Sequence, residues 1–231
     1  MNHKNRSEIF RRKGSRRINS QKCIVFAEGQ NTEKSYLDLL KRGNCKIIPI
    51  TKRGHGIASC VDFVEECAKA WTCMPKTERA GYKGRWLIYD ADGRADFAES
   101  VKLARKYGFD VAFSNMCIEY WFMLHFYDHD GSPIRMWGNS HSMAQIRRIN
   151  EYITEYNKTS PIQVPLYDSG SKSIEEDLFE MMLAVAPRYK KRRIELAYDR
   201  AKGIHVYKKS NGAEFLESVT SIYQLLEALG V

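Results

Sequence analysis

The sequence predicts an α/β protein: a parallel sheet covered by helices on both faces, followed by a helical C-terminal region. Three observations carry that prediction. Over roughly residues 22–127, short apolar runs with β-branched residues alternate with segments whose apolar residues recur at helical spacing. Beyond residue 127 the alternation stops and only helical patterns remain. At 231 residues the chain is long enough to bury a full core.

Each element follows from its residues. "CIVFA" (23–27) reads as a first strand, ended by Glu28, and Asn31-Thr32-Glu33 opens a helix carrying Tyr36, Leu37, Leu39 and Leu40. "CKIIPI" (45–50) is a second strand and "KRGHG" (52–56) a turn-rich loop. Ile57, Val61, Val64, Cys67 and Trp71 share a helical period, and "RWLIYD" (85–90) is a third strand closed by "ADGRAD". "FAESVKLARKYG" (97–108) is a helix with Gly108 as its C-terminal signal, "DVAFS" (110–114) a fourth strand, and "CIEYWFMLHF" (117–126) a strongly apolar helix. Helices are then expected near 142–157, 172–187, 189–202 and 213–229, with no strand among them. The expected organisation is a basic tail over 1–21, an α/β core over 22–130 and a helical region over 131–231.

Composition limits the function classes. The longest apolar run, residues 120–126, is far short of the roughly 18 residues that span a bilayer. The N-terminus is basic and polar with no apolar stretch behind it, so a cytoplasmic location is expected. The six cysteines fall singly in apolar segments, with no C-x-x-C pair to suggest zinc or a disulfide framework. His125 and His129 have helical spacing, but no third zinc ligand matches them. "DSGSKS" (168–173) lacks the upstream glycine of a phosphate-binding P-loop.

The charge points to a polyanion. A formal charge of +9 is concentrated in the tail and in "PRYKKRRIELAYDRAKGIHVYKK" (187–209), where tyrosines interleave with bases. Lys190, Lys191, Arg192 and Arg193 are therefore candidate nucleic-acid contacts. Lys52, Arg53 and His55 follow the second strand as either a phosphate clamp or a flexible loop. Neither basic run has the broad apolar face of a membrane-surface helix.

The acids carry the chemistry. Glu28 ends the first strand, and Asp90 and Asp92 end the third; in an extended segment residues i and i+2 face one side. In a parallel sheet all three open on the edge where such folds bind ligands. Oxygen donors of this kind suit Mg²⁺ or Mn²⁺. Glu33 would serve a second metal or cap its own helix. Ser114 and Asn115 end the fourth strand at the same edge, as phosphate contacts or as a helix cap. Glu119, one turn into the apolar helix, needs a basic or metal partner.

The E-G after strand one and D-x-D after strand three resemble the Toprim fold of topoisomerases, primases and overcoming-lysogenization-defect nucleases. More specifically, "FAEGQNTEKSYLDLL", "YDADG", "SNMCIEYWFMLHF" and "YKKRRIELAYDRA" are similar to the RloB-like family of abortive-infection and restriction loci. Met116 departs from the proline of that pattern. The resemblance implies a Toprim-type, metal-dependent endonuclease acting on DNA or RNA, tRNA among them, as a toxin effector in antiviral defence. It makes Glu28 a general acid/base or metal ligand, Asp90 and Asp92 ligands of Mg²⁺, and a separate ABC- or AAA-type ATPase a partner. Glu119 joins the catalytic set; a homo-oligomer is left open. The alternative is a non-catalytic nucleic-acid-binding or assembly module of a defence complex.

Overall fold

A computed structural model describes residues 22–28, 32–40, 45–51, 58–135, 140–168, 170 and 173–231. The basic tail and Lys52, Arg53 and His55 lie outside the described residues. Strands β1 (Cys23–Glu28), β2 (Cys45–Ile50), β3 (Gly84–Asp90) and β4 (Asp110–Asn115) are all parallel, in the order β2-β1-β3-β4. The expected α/β architecture with a mostly parallel, helix-covered sheet is the one observed.

Residues 23–27 of β1 are buried on both faces, which is why the run is apolar rather than alternating. The period of two splits them between layers. Ile24 and Phe26 face Phe63, Val64 and Cys67 of α2 (Cys60–Cys73) and Phe97, Val101 and Ala104 of α4 (Phe97–Lys106). Cys23, Val25 and Ala27 face Tyr36 and Leu37 of α1 (Thr32–Leu39) together with the C-terminal helices. A four-residue turn of helix, α3 (Lys76–Arg79), precedes β3.

The C-terminal half corrects the expectation of a strandless helical region. A two-residue strand, β7 (Val219–Thr220), pairs antiparallel with β4 and extends the central sheet. Helices α6 (His141–Thr159), α7 (Glu176–Leu183), α8 (Arg193–Ser210) and α9 (Ile222–Leu229) share one apolar layer with Val25, Ala27 and Ile88 of the sheet. The helix expected from residue 189 starts at Arg193, because residues 185–192 form a hairpin of β5 (Val185–Ala186) and β6 (Lys191–Arg192). Lys190 turns that hairpin with φ of +54°. The apolar helix expected over 117–126 is regular only across α5 (Glu119–Met123), all of whose side chains are buried.

Candidate functional site

Neighbouring strands set the site. β1 and β3 are adjacent at the centre of the sheet, with Ala27 opposite Ile88, so Glu28 and Asp90 both end at its C-terminal edge, one residue out of step and, by the period of two, toward opposite faces. The strand stops at Asp90, which corrects the expectation that Asp90 and Asp92 share one side of an extended segment. Ala91 is buried and its N–H donates to the Ser114 carbonyl (3.0 Å); the Asp92 N–H donates to the Met116 carbonyl (3.1 Å). Asp92 and Gly93 then take left-handed backbone, φ +46° and +68°, and Arg94 closes the turn with its N–H on the Ala91 carbonyl (2.8 Å). Aspartate tolerates that conformation better than most residues. Met116 has φ of +98°, which a proline ring fixed near −65° cannot adopt, so the departure there goes with a different turn.

Arg94 is the residue that sequence reasoning missed. Its Nη1 pairs with Glu28 Oε1 at 2.8 Å and its Nη2 with Asp92 Oδ2 at 3.0 Å, while Nη1 also lies 3.7 Å from Cys60 Sγ. The signal was present as an arginine two residues beyond D-x-D, inside the same turn. Burial pushes the Glu28 carboxyl up, and Arg94 offsets only part of that shift. Burial opposes the charge on Arg94 too, but Glu28 outweighs it and holds the guanidinium protonated.

Three further acids lie behind this pair. Asp90 is pushed well above the usual carboxylate range, first by burial and then by the charges of Glu33, Asp92 and Glu119. The Ile118 N–H donating to Asp90 Oδ2 at 3.0 Å only partly opposes this. Glu33 is pushed up to about 7, again by burial first and then by Glu119, Glu28 and Asp92. Glu119 is 9% exposed, and its Oε1 accepts a hydrogen bond from Tyr167 Oη at 3.2 Å. The partner expected for Glu119 was a base or a metal; the one in place is a phenol, and burial and Glu119 together raise the pKa of that phenol.

The charge of Asp92 thus raises Glu28, Glu33 and Asp90 alike, and that of Glu119 adds to Glu33 and Asp90. Among the described residues, Arg94 is the one cation in contact with them. The donor set is all carboxylate oxygen, the chemistry that suits a hard divalent cation, and its surplus negative charge favours one. As these side chains stand, no group of three or more His, Cys, Asp or Glu among the described residues is arranged to hold a metal ion.

The other candidates separate into surface and interior. Ser114 is fully buried and donates to Thr220 Oγ1 at 2.9 Å, and Asn115 donates through Nδ2 to the Phe215 carbonyl, so both fasten β4 to the C-terminal segment. Lys190 and Lys191 are exposed, Lys191 donating to Asp199 at 3.1 Å, and Arg192 pairs with Glu195 at 2.9 Å. Arg193 is 3% exposed, so the expectation of a nucleic-acid contact gives way to a structural role. His125 is buried with Nδ1 donating to the Trp121 carbonyl (3.0 Å), and burial lowers its pKa to about 3, as suits a packed neutral imidazole. His129 contacts Tyr120 Oη at 3.1 Å. All six cysteines are free thiols.

Comparison with known protein families matches the chain to the family described as RloB-like protein, over residues 23–229. No curated protein and no solved structure matches the chain.

Proposed function

We propose that this chain, which belongs to the RloB-like family, is a metal-dependent nuclease that cleaves phosphodiester bonds in nucleic acid. The observation that carries the proposal is the set of five carboxyl groups gathered about the C-terminal edge of β1 and β3, of which Glu28, Glu33 and Asp90 are pushed up by burial and neighbouring acids, offset by a single arginine among the described residues. Strongly perturbed groups gathered at one sheet edge are characteristic of reacting sites. Asp90, Asp92 and Glu28 would hold Mg²⁺ or Mn²⁺, with Glu33 and Glu119 behind them. A bound divalent cation would polarise the phosphate and provide a nucleophile at neutral pH.

The chain's own groups supply the rest. Glu28, at the rim and raised by burial, is suited to taking the proton of an attacking water on a carboxylate oxygen. Tyr167 fixes Glu119 through its Oη, and the Ile118 N–H fixes Asp90. Lys190 and Lys191 offer exposed charge to a phosphate backbone. Among the described residues no helix is long and apolar enough to cross a membrane. The family resemblance adds the setting: an effector of antiviral defence, located in the cytoplasm and controlled by a separate ATPase.

The test is incubation of the purified protein with single-stranded DNA, duplex DNA and tRNA, each with Mg²⁺, Mn²⁺ or EDTA. Metal-dependent cleavage of any one, abolished by Asp90→Asn, supports the proposal. Binding without cleavage under all these conditions, with and without the partner ATPase, leaves a non-catalytic nucleic-acid-binding module instead.

A further inference from the structure

The guanidinium of Arg94 bridges two carboxylates, one ending β1 and the other in the turn that follows β3, both of which the proposed function gives to a divalent cation. Its two terminal nitrogens engage Glu28 Oε1 and Asp92 Oδ2, the first at 2.8 Å and the second at 3.0 Å, and Cys60 Sγ lies behind it. The bridge is held firmly: Arg94 is only 21% exposed along its side chain, and the turn carrying it is fixed by the left-handed Asp92 and Gly93 and by the Arg94 N–H on Ala91. A guanidinium forked across two carboxylates engages one oxygen of each and offsets the negative charge that a second cation would otherwise meet.

We infer that Arg94 and a divalent cation are alternative occupants of the space between Glu28 and Asp92, so that Arg94 holds the site closed until metal displaces it. The inference rests on the proposal that these acids bind metal. Space for the displaced side chain adjoins it: a cleft of about 270 Å³ is lined by Arg94 itself with Gly93, Asn115, Met116, Phe215 and Glu217. There Glu217 offers a carboxylate and Asn115 its side-chain oxygen, its amide nitrogen being taken by the Phe215 carbonyl. Arg94 is thereby assigned a positioning role: it neutralises the empty site and sets the metal concentration at which the site opens.

Calorimetric titration with Mn²⁺ alone, on the full chain, tests this. Arg94→Gln should bind Mn²⁺ at least about fivefold more tightly than wild type, the lower end of ordinary coupling between two ligands. Arg94→Lys should fall between, since lysine keeps the charge but cannot fork across both acids. A Gln variant that binds no more tightly than wild type overturns the inference. A readout on wild type avoids dependence on the variant's folding. The ¹⁵N–¹H signal of Arg94 Nε should move as Mg²⁺ is added and saturate with the metal's own Kd, and a signal that stays fixed while calorimetry reports binding overturns the inference. Absence of any metal binding in wild type and variants would remove the proposed metal site along with this one. Equal binding in all three would remove the competition alone.

Discussion

Two of the places where the described residues bury ionisable groups treat them in opposite ways. Arg193, at the start of α8, is fully interior; its donors reach Tyr152 Oη at 3.2 and 3.0 Å and the carbonyls of Met181 and Ala184, both at 3.3 Å. A group that has only to be stable is given partners on every side. At the ends of β1 and β3, by contrast, burial and the charge of Glu119 oppose the ionisation of Asp90 and Glu33, and Arg94 reaches only the outer pair. A fold that can satisfy a buried arginine so completely also leaves its buried acids crowded. The difference sets the acid edge apart from the structural interior, and it is the feature on which the proposed function rests.

Substitutions that separate the two regions sharpen this contrast. The largest effect is expected on catalysis: Glu28→Gln, Asp90→Asn and Asp92→Asn should each lower cleavage on the order of a thousandfold or more while leaving nucleic-acid affinity nearly unchanged. Cleavage assays beside fluorescence-anisotropy binding measure both, and Asp90→Asn acting at the wild-type rate would erase the distinction between the regions. Arg193→Met should do the reverse. Stranding Tyr152 and the carbonyls it serves costs about 3 kcal/mol, a melting temperature lower by roughly 6–12 °C for a chain this size. Its metal affinity should be unchanged, and a loss of metal binding would show the regions to be coupled.

The pH dependence of the metal-free protein comes next. Glu33 rises from an ordinary 4.5 to about 7 on folding, so the folded state holds a proton that the unfolded chain releases. Stability from this group is full below pH 4.5, declines as pH rises toward 7 and is level above it. Asp90 acts in the same direction. In EDTA, the melting temperature of Glu33→Gln should therefore gain on wild type by several degrees between pH 4.5 and 7; a constant difference would show that Glu33 is not crowded. The smallest effect belongs to the basic N-terminal run. Deleting residues 1–20 should weaken binding to every sequence alike and flatten the dependence of log K on log[salt]. An unchanged slope would make the tail a bystander.

The sequence revealed those parts of this contrast that rest on local pattern. Strand runs and helical periods from Cys23 to Phe126 were readable because burial on both sheet faces forces continuous apolar segments. Glu28, Asp90 and Asp92 were readable because they end such runs. What escaped depends on distant partners. Val219 and Thr220 are too few to show a period and become a strand only through β4, where Ser221 Oγ also accepts from the Phe113 N–H at 3.0 Å. Tyr167 reaches Glu119 across 48 residues with no local signature. "KKRR" looks like the start of a helix, yet Lys190 turns a hairpin and Arg193 points inward. Arg94 lay in plain view, but its role needed the third strand set beside the first.

The central claim is that the acids ending β1 and β3 form one divalent-cation site, and melting curves of wild type and Asp90→Asn in EDTA and in Mn²⁺ at low ionic strength test it most directly. At a hundredfold excess of metal over its Kd, wild type should gain about 2.7 kcal/mol, a rise on the order of 5–10 °C. Asp90→Asn, with one repelling charge removed, should melt above wild type in EDTA and respond little to Mn²⁺. A wild type indifferent to Mn²⁺, or a variant that shifts as far as wild type, would contradict the claim.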